Sequence, residues 1–319
     1  MQQSRRQFVR TLFVATQAVA LGSLLTPRNL FAADAKAGSL NFLLLGDWGR
    51  NGEKDQMAVA TQMGIAAQDM DAKFIISVGD NFYEDGVATV DDPQWQSSFE
   101  KVYTAPSLQV PWWVVLGNHD YHGNCDAQID YSKTSKRWNM PARYFTRTEK
   151  ISHHHSVDFF YLDTTPMSKL DSDETEFHDK VKSQDIPKQV AWLESALAAS
   201  TAPWKIVIAH HPVYTGGQHG DTPYIIKHIL PLMEKYGVQA YFNGHDHDLQ
   251  HLAAGKVNFF CSGGGSKPRV PIKTTEHTKF GLGTSGFIAA ALSPDKLDVR
   301  LIDDQGKLLY TTSVPRVAS

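Results

Sequence analysis

Seven residues spread along this sequence carry oxygen or nitrogen donors and sit in short turns marked by small residues: Asp47, Asp80, Tyr83, Asn118, His210, His245 and His247. None is a thiolate. Carboxylate, phenolate, amide and imidazole together suit hard or borderline ions such as iron, manganese or zinc. A carboxylate at Asp80 can bridge two ions, and Tyr83, three residues on, can reach one of them. A phenolate favours a trivalent ion, so iron(III) is expected at one position. His245 and His247 are two apart on an extended segment, roughly 7 Å along the chain, which lets them flank a metal pair about 3.5–4 Å apart. With three anionic ligands such a pair keeps surplus positive charge, which attracts a phosphate dianion and acidifies bound water. Each residue alone is also what a turn, a cap or a buried histidine needs; the recurrence carries the inference.

The elements that must position them are apolar, β-branched runs. Residues 40–45, 74–78, 112–116, 205–209 and 238–242 read as buried strands, each delivering one of these groups at its carboxyl end. Ligand sites in open α/β sheets lie there. A further strand at 157–162 ends at Asp163. Helices are expected over 53–70, with Met57, Ala60, Ile65 and Ala66 as its apolar positions, around 94–102, from Pro187 onwards, and from Pro223 through Met233. Residues 121–142 read as loop, and so does the acidic stretch 166–186, a candidate lid. Past residue 256 only strands are expected, at 257–261, 286–292, 297–302 and 308–313. His153, His154 and His155 precede a strand and so belong to the opposite edge.

The chain has 319 residues, 42% of them hydrophobic, and a formal net charge of -3. No basic field points to nucleic acid or an anionic membrane surface. Cys125 and Cys261 lack zinc-finger spacing and form either one bridge or two buried thiols. At the amino terminus, Arg5-Arg6 precede an apolar run from about 11 to 25 that is too short to span a bilayer. Ala33-Asp34-Ala35 then matches an A-x-A cleavage site. Residues 1–35 thus resemble a twin-arginine signal peptide. That reading implies the twin-arginine export machinery as a partner, a periplasmic or secreted product without stable membrane insertion, and one domain over 36–319. A monomer is expected.

Longer matches surround the seven residues: Gly79-Asp80-Asn81-Phe82-Tyr83, Gly117-Asn118-His119-Asp120, Ser135-Lys136-Arg137-Trp138-Asn139, Gln189-Val190-Ala191-Trp192-Leu193 and Gly244-His245-Asp246-His247-Asp248-Leu249-Gln250. With these the chain resembles the purple acid phosphatases, specifically the small tartrate-resistant type of the metallophosphoesterase superfamily. The resemblance implies an α/β fold, a four-layer αββα sandwich of two mixed β-sheets flanked by helices. It makes Asp47, Asp80, Tyr83 and His247 ligands of Fe(III). Asp80, as the bridge, with Asn118, His210 and His245 would hold a second divalent metal (Fe, Zn or Mn). It favours His210 over His211 as ligand and makes His211 a substrate-pocket residue. His119 would hold the phosphate or protonate the leaving alkoxide. Asp120 would orient His119 or shape its turn, and His219 would be a second pocket histidine.

The implied reaction is hydrolysis of a small phosphate monoester by metal-bound hydroxide with His119 assisting. Two alternatives share the site: a phosphodiesterase or nucleotide hydrolase, and a non-hydrolytic iron-binding redox protein.

Overall fold

The computed structural model describes residues 38–168 and 178–316. The signal peptide expected at 1–35 and the centre of the expected acidic lid lie outside them. In chain order the strands are β1 (Leu40–Leu45), β2 (Phe74–Ser77), β3 (Trp112–Val114), β4 (Trp138–Asn139), β5 (Phe145–Lys150), β6 (Ser156–Tyr161), β7 (Trp204–Ile208), β8 (Ala240–Asn243), β9 (Leu249–Ala254), β10 (Val257–Ser262), β11 (Thr278–Leu282), β12 (Gly286–Leu292), β13 (Lys296–Asp303) and β14 (Leu308–Pro315).

They form two seven-stranded mixed sheets, ordered β14-β13-β12-β1-β2-β3-β4 and β11-β9-β10-β8-β7-β6-β5. Strands β1, β2 and β3 run parallel in the first, and β6, β7 and β8 in the second. Their carboxyl ends therefore gather along one edge of each sheet.

Side-chain alternation turns these sheets into layers. In β1, Phe42 and Leu44 enter a core shared with Phe159, Tyr161, Ile206 and Phe242 of the second sheet. Leu43 and Leu45 point the other way, under helix α1 (Gln56–Met70), against Val59, Met63 and Ala67. On the second sheet Phe160, Val207 and Tyr241 face outward, under Leu193, Leu197, Ile225 and Met233. The order is helix, sheet, sheet, helix, as expected. Phe42 anchors the central layer, stacked on Phe74 at 5.1 Å and edge-on to Phe159 at 5.6 Å.

Several local expectations fail for identifiable reasons. Met57 and Ile65 are 46% and 41% exposed, so they are not on the packed face of α1. Residues 121–142 are not loop. After α2 (Asn118–His122), helix α3 (Cys125–Tyr131) starts where the Asn124 side chain accepts the Asp126 and Ala127 amides. Strand β4 then follows, with buried Arg137 paired to Glu100 at 2.6 Å. The stretch 166–186 holds parts of α4 (Thr165–Ser168), α5 (His178–Lys182) and α6 (Ile186–Ala199). The helix expected from Pro223 is two, α7 (Pro223–His228) and α8 (Leu230–Lys235), because Pro231 lacks an N–H and clashes with the preceding turn.

Both cysteines are buried free thiols. His153 to His155 lie in the β5–β6 turn, at the opposite end of β6 from Asp163. No helix among the described residues is long and apolar enough to cross a membrane.

Candidate metal centre

Each strand end releases its group through a tight turn. Asp47, Asp80 and His245 adopt left-handed backbone, with φ of 60°, 50° and 72°. Such conformations cost non-glycine residues about 1–3 kcal/mol each and persist where surrounding structure enforces them. Asp47 and Asp80 follow β1 and β2, Asn118 opens α2 after β3, His210 follows β7 and His245 follows β8. Both sheets therefore contribute. Two glycines make room for the carboxylates: a Cβ on Gly117 would lie 2.2 Å from Asp80 Oδ1, and one on Gly244 2.4 Å from Asp47 Oδ2.

The donor atoms converge in two groups. Tyr83 Oη lies 3.1 Å from Asp47 Oδ1, 3.0 Å from Asp80 Oδ2 and 3.1 Å from His247 Nε2. His210 Nε2 lies 3.5 Å from Asp80 Oδ2, 3.2 Å from Asn118 Oδ1 and 3.2 Å from His245 Nδ1. Asp80 joins the groups. The other ring nitrogens face backbone: His210 Nδ1 lies 2.9 Å from the Val78 carbonyl and His247 Nδ1 2.7 Å from that of Lys267. Such bonds orient an imidazole for ligation through its second nitrogen. His211 packs beside His245 with ring centroids 4.4 Å apart, and its nearest ring nitrogen also falls within ligand range of His210 and His245.

Charge at this centre is frustrated without a cation. Burial, then the adjacent Asp80 carboxylate, hold Asp47 well above the usual carboxylate range. Burial opposes charge on Asp80 too, but His210, His119 and the His119 amide outweigh it and keep its acidity high. Burial, Asp47 and Asp80 push the Tyr83 phenol well up. Burial and Arg269 hold His247 at about 3, and burial lowers His210, which favours the neutral imidazole that ligates. Two buried carboxylates, a phenol and several imidazoles around one point fit a multivalent cation pair.

His119 stands beside this centre rather than within it. Its amide donates to Asp80 Oδ1 at 2.8 Å, its ring lies 4.3 Å from that of Tyr83, and its Nδ1 lies 2.6 Å from the Glu84 carbonyl. Asp120 is not joined to the His119 ring. Its buried carboxylate accepts the Gly117 amide at 2.8 Å, the Asn81 amide at 3.0 Å and Gln128 Nε2 at 2.7 Å, which caps α2 and ties it to the β2 turn. Of the two expected readings, orienting His119 or shaping its turn, these contacts match the second. His219 is brought to the rim, its ring 4.1 Å from that of His245, and with His211 it lines a 140 Å³ cavity.

Two guanidiniums at the site were not anticipated from sequence. Arg50 covers the Tyr83 ring at 3.6 Å and pairs with Glu84 at 2.7 Å. Arg269 Nη1 lies 2.6 Å from His219 Nε2. Arg50 directly follows Gly46-Asp47-Trp48-Gly49, a signal that was available; Arg269 lies on a segment without regular secondary structure and had none.

Residues 40–249 match the calcineurin-like phosphoesterase family model. The chain is 39% identical to purple acid phosphatase 7 of Arabidopsis thaliana, over 88% of this chain and 87% of that one. It is 36% identical to human tartrate-resistant acid phosphatase type 5, over 97% of this chain and 98% of the relative. The chain belongs to the purple acid phosphatases. Among solved structures, one titled as GAP50, the anchor in the inner membrane complex of Plasmodium, superposes with TM-score 0.76 at 26% identity, covering 88% and 90% of the two chains. A yellow lupin purple acid phosphatase superposes with TM-score 0.62 at 17% identity, covering 88% of this chain and 55% of that one, and shares the fold. As a purple acid phosphatase the chain is a dinuclear-metal enzyme that hydrolyses phosphate monoesters.

Proposed function

We propose that Asp47, Asp80, Tyr83 and His247 hold Fe(III), and that Asp80, Asn118, His210 and His245 hold a divalent Fe, Zn or Mn. The observation that carries this reading is the meeting of Tyr83 Oη with Asp47, Asp80 and His247 within 3.1 Å. When bound, such a pair supplies Lewis acidity towards phosphoryl oxygens and an activated water. The chain's own residues do the rest. Asp47, Asp80 and Tyr83 are buried, so the charge they present acts in a medium of low polarity. A carbonyl only accepts, so the Glu84 carbonyl fixes a proton on His119 Nδ1 and leaves Nε2 to serve the leaving-group oxygen. His219 and His211 line a cavity together with His245 and bound the substrate there.

The test is kcat/KM of the metal-loaded protein on a matched phosphate monoester and diester, with metal content measured alongside. A monoester preference with iron and a second metal present is expected. A diester preference overturns the roles given to His119 and His219.

We also propose export to the periplasm or medium by the twin-arginine machinery, on the strength of Arg5-Arg6, the short apolar run and Ala33-Asp34-Ala35. Replacing both arginines by lysine is expected to retain the protein in the cytoplasm; unchanged export overturns this reading.

A further inference from the structure

His219 and Arg269 come from separate loops, yet both are indexed to the segment His245-Asp246-His247. The His219 amide donates to Asp246 Oδ1 at 3.1 Å, and Thr215 Oγ1 donates to Asp246 Oδ2 at 2.6 Å, which fastens the turn carrying His219. From the other side, the Arg269 amide donates to the His247 carbonyl at 2.8 Å, while His247 Nδ1 bonds the Lys267 carbonyl. The two side chains meet at the rim, Nη1 to Nε2, at 2.6 Å. Arginine can only donate, so His219 Nε2 is the acceptor and the arginine's partner there is a ring nitrogen without a proton.

This sets Arg269 apart from the other guanidinium at the site. Arg50 is covered, lies against Tyr83 and is neutralised by the Glu84 carboxylate. Arg269 is half-buried at the mouth, and its bond to His219 uses one of five N–H donors. Its charge reaches Asp47 and His247, the inner residues of the centre. A planar cation of fixed geometry at this place suits bidentate binding of a phosphate or carboxylate. A scissile phosphate at the metal centre would occupy the inner position, which leaves Arg269 for an anion on the leaving group.

We propose that Arg269, braced by His219, is the specificity determinant for substrates bearing a second anionic group, phosphoryl or carboxylate, a few bonds from the scissile phosphorus. The proposal rests on the phosphomonoesterase reading of the centre. It requires no new chemistry: the P–O bond to the leaving group breaks as before, and Arg269 holds that group's charge.

The test compares metal-loaded wild type with Arg269→Gln and Arg269→Lys on pyrophosphate, phosphoglycolate and phenyl phosphate. Dividing variant by wild-type kcat/KM for each substrate cancels intrinsic leaving-group reactivity. In Arg269→Gln this ratio is expected to be at least about tenfold lower for an anionic substrate than for phenyl phosphate, with partial recovery in Arg269→Lys. A selective loss on pyrophosphate assigns the site to a phosphoryl group, and one on phosphoglycolate to a carboxylate. An equal loss on all three, or none, overturns the proposal. Should Arg269→Gln fail to fold, wild-type calorimetry decides: methylenediphosphonate should bind about tenfold tighter than methylphosphonate, and equal affinity overturns the proposal. Failure of the loaded wild type on every monoester would instead overturn the phosphomonoesterase reading.

Discussion

The role proposed for His119 is that of a proton carrier beside the metals, not a ligand. Its ring lies against Tyr83, and the Glu84 carbonyl engages Nδ1, which leaves Nε2 for the proposed proton transfer. His119→Ala is therefore expected to lower kcat by about 10²–10⁴-fold while metal content by elemental analysis stays intact. Loss of metal would make it a structural residue instead. Tyr83 has the opposite profile. Its hydroxyl touches three other donors, so Tyr83→Phe removes the proposed anionic ligand and keeps the ring under Arg50. Iron should then be lost or recovered in the divalent state, as read by iron content and oxidation state. At this scale the sequence is informative, because donor type and the strand-end turn before it mark the residues that the fold brings together. Position within the turn is less legible. Asp120 adjoins His119 in sequence, but its carboxylate turns back onto Gly117 and Asn81 and never meets the ring.

At the scale of elements, the five-residue helix α2 carries both Asn118 and His119, and it is held from three sides. Asp120 caps its start; Tyr121 Oη donates to Asp163 Oδ2 at 2.5 Å; and Lys180 Nζ meets the carbonyls of Tyr121, His122 and Gly123 at 3.0, 2.8 and 2.5 Å. So short a helix has no stability of its own, and these contacts supply it. The turn before it tolerates no side chain. Gly117→Ala would drive a methyl into Asp80 Oδ1, and the expected result is loss of metal from both positions with circular dichroism unchanged. Retention of both metals would mean that Asp80 can relax. The missed elements share a physical cause. Strand β9 buries Gln250 and His251, which look like surface residues in sequence. Gln250 is satisfied by Thr215 and Asp248, and His251 by Tyr310 and Asn258. Thr215 and Tyr310 lie too far off in sequence to be read from local pattern, and so does Glu100, the partner of Arg137 beneath the expected loop.

Over the whole molecule, the centre is completed only when the two sheets dock. Asp47, Asp80 and Asn118 come from the first sheet, His210 and His245 from the second. Metal bound to the native state alone adds about 2.7 kcal/mol per site at 100-fold excess over Kd, so chelation should lower Tm measurably; an unchanged Tm would separate metal binding from docking. The metal-free protein has a second signature. Burial holds Asp163 at about 6, against about 3.9 in an unfolded chain. Between those values the folded state keeps a proton that the unfolded chain has released, so this contribution is full below about pH 4 and is lost as pH rises through about 6. Asp120 and Asp248, each held at about 7 by burial, act in the same direction. Urea titrations of the apo protein should show stability falling across this window, and Asp163→Asn should remove up to about 3 kcal/mol of that fall. The straddled centre has one more consequence, and it concerns time. An ion held by residues of two sheets would lose part of its ligand set whenever the sheets part. Substitutions that loosen the docking of the sheets should therefore shorten the lifetime of the bound metal, even where they touch no ligand.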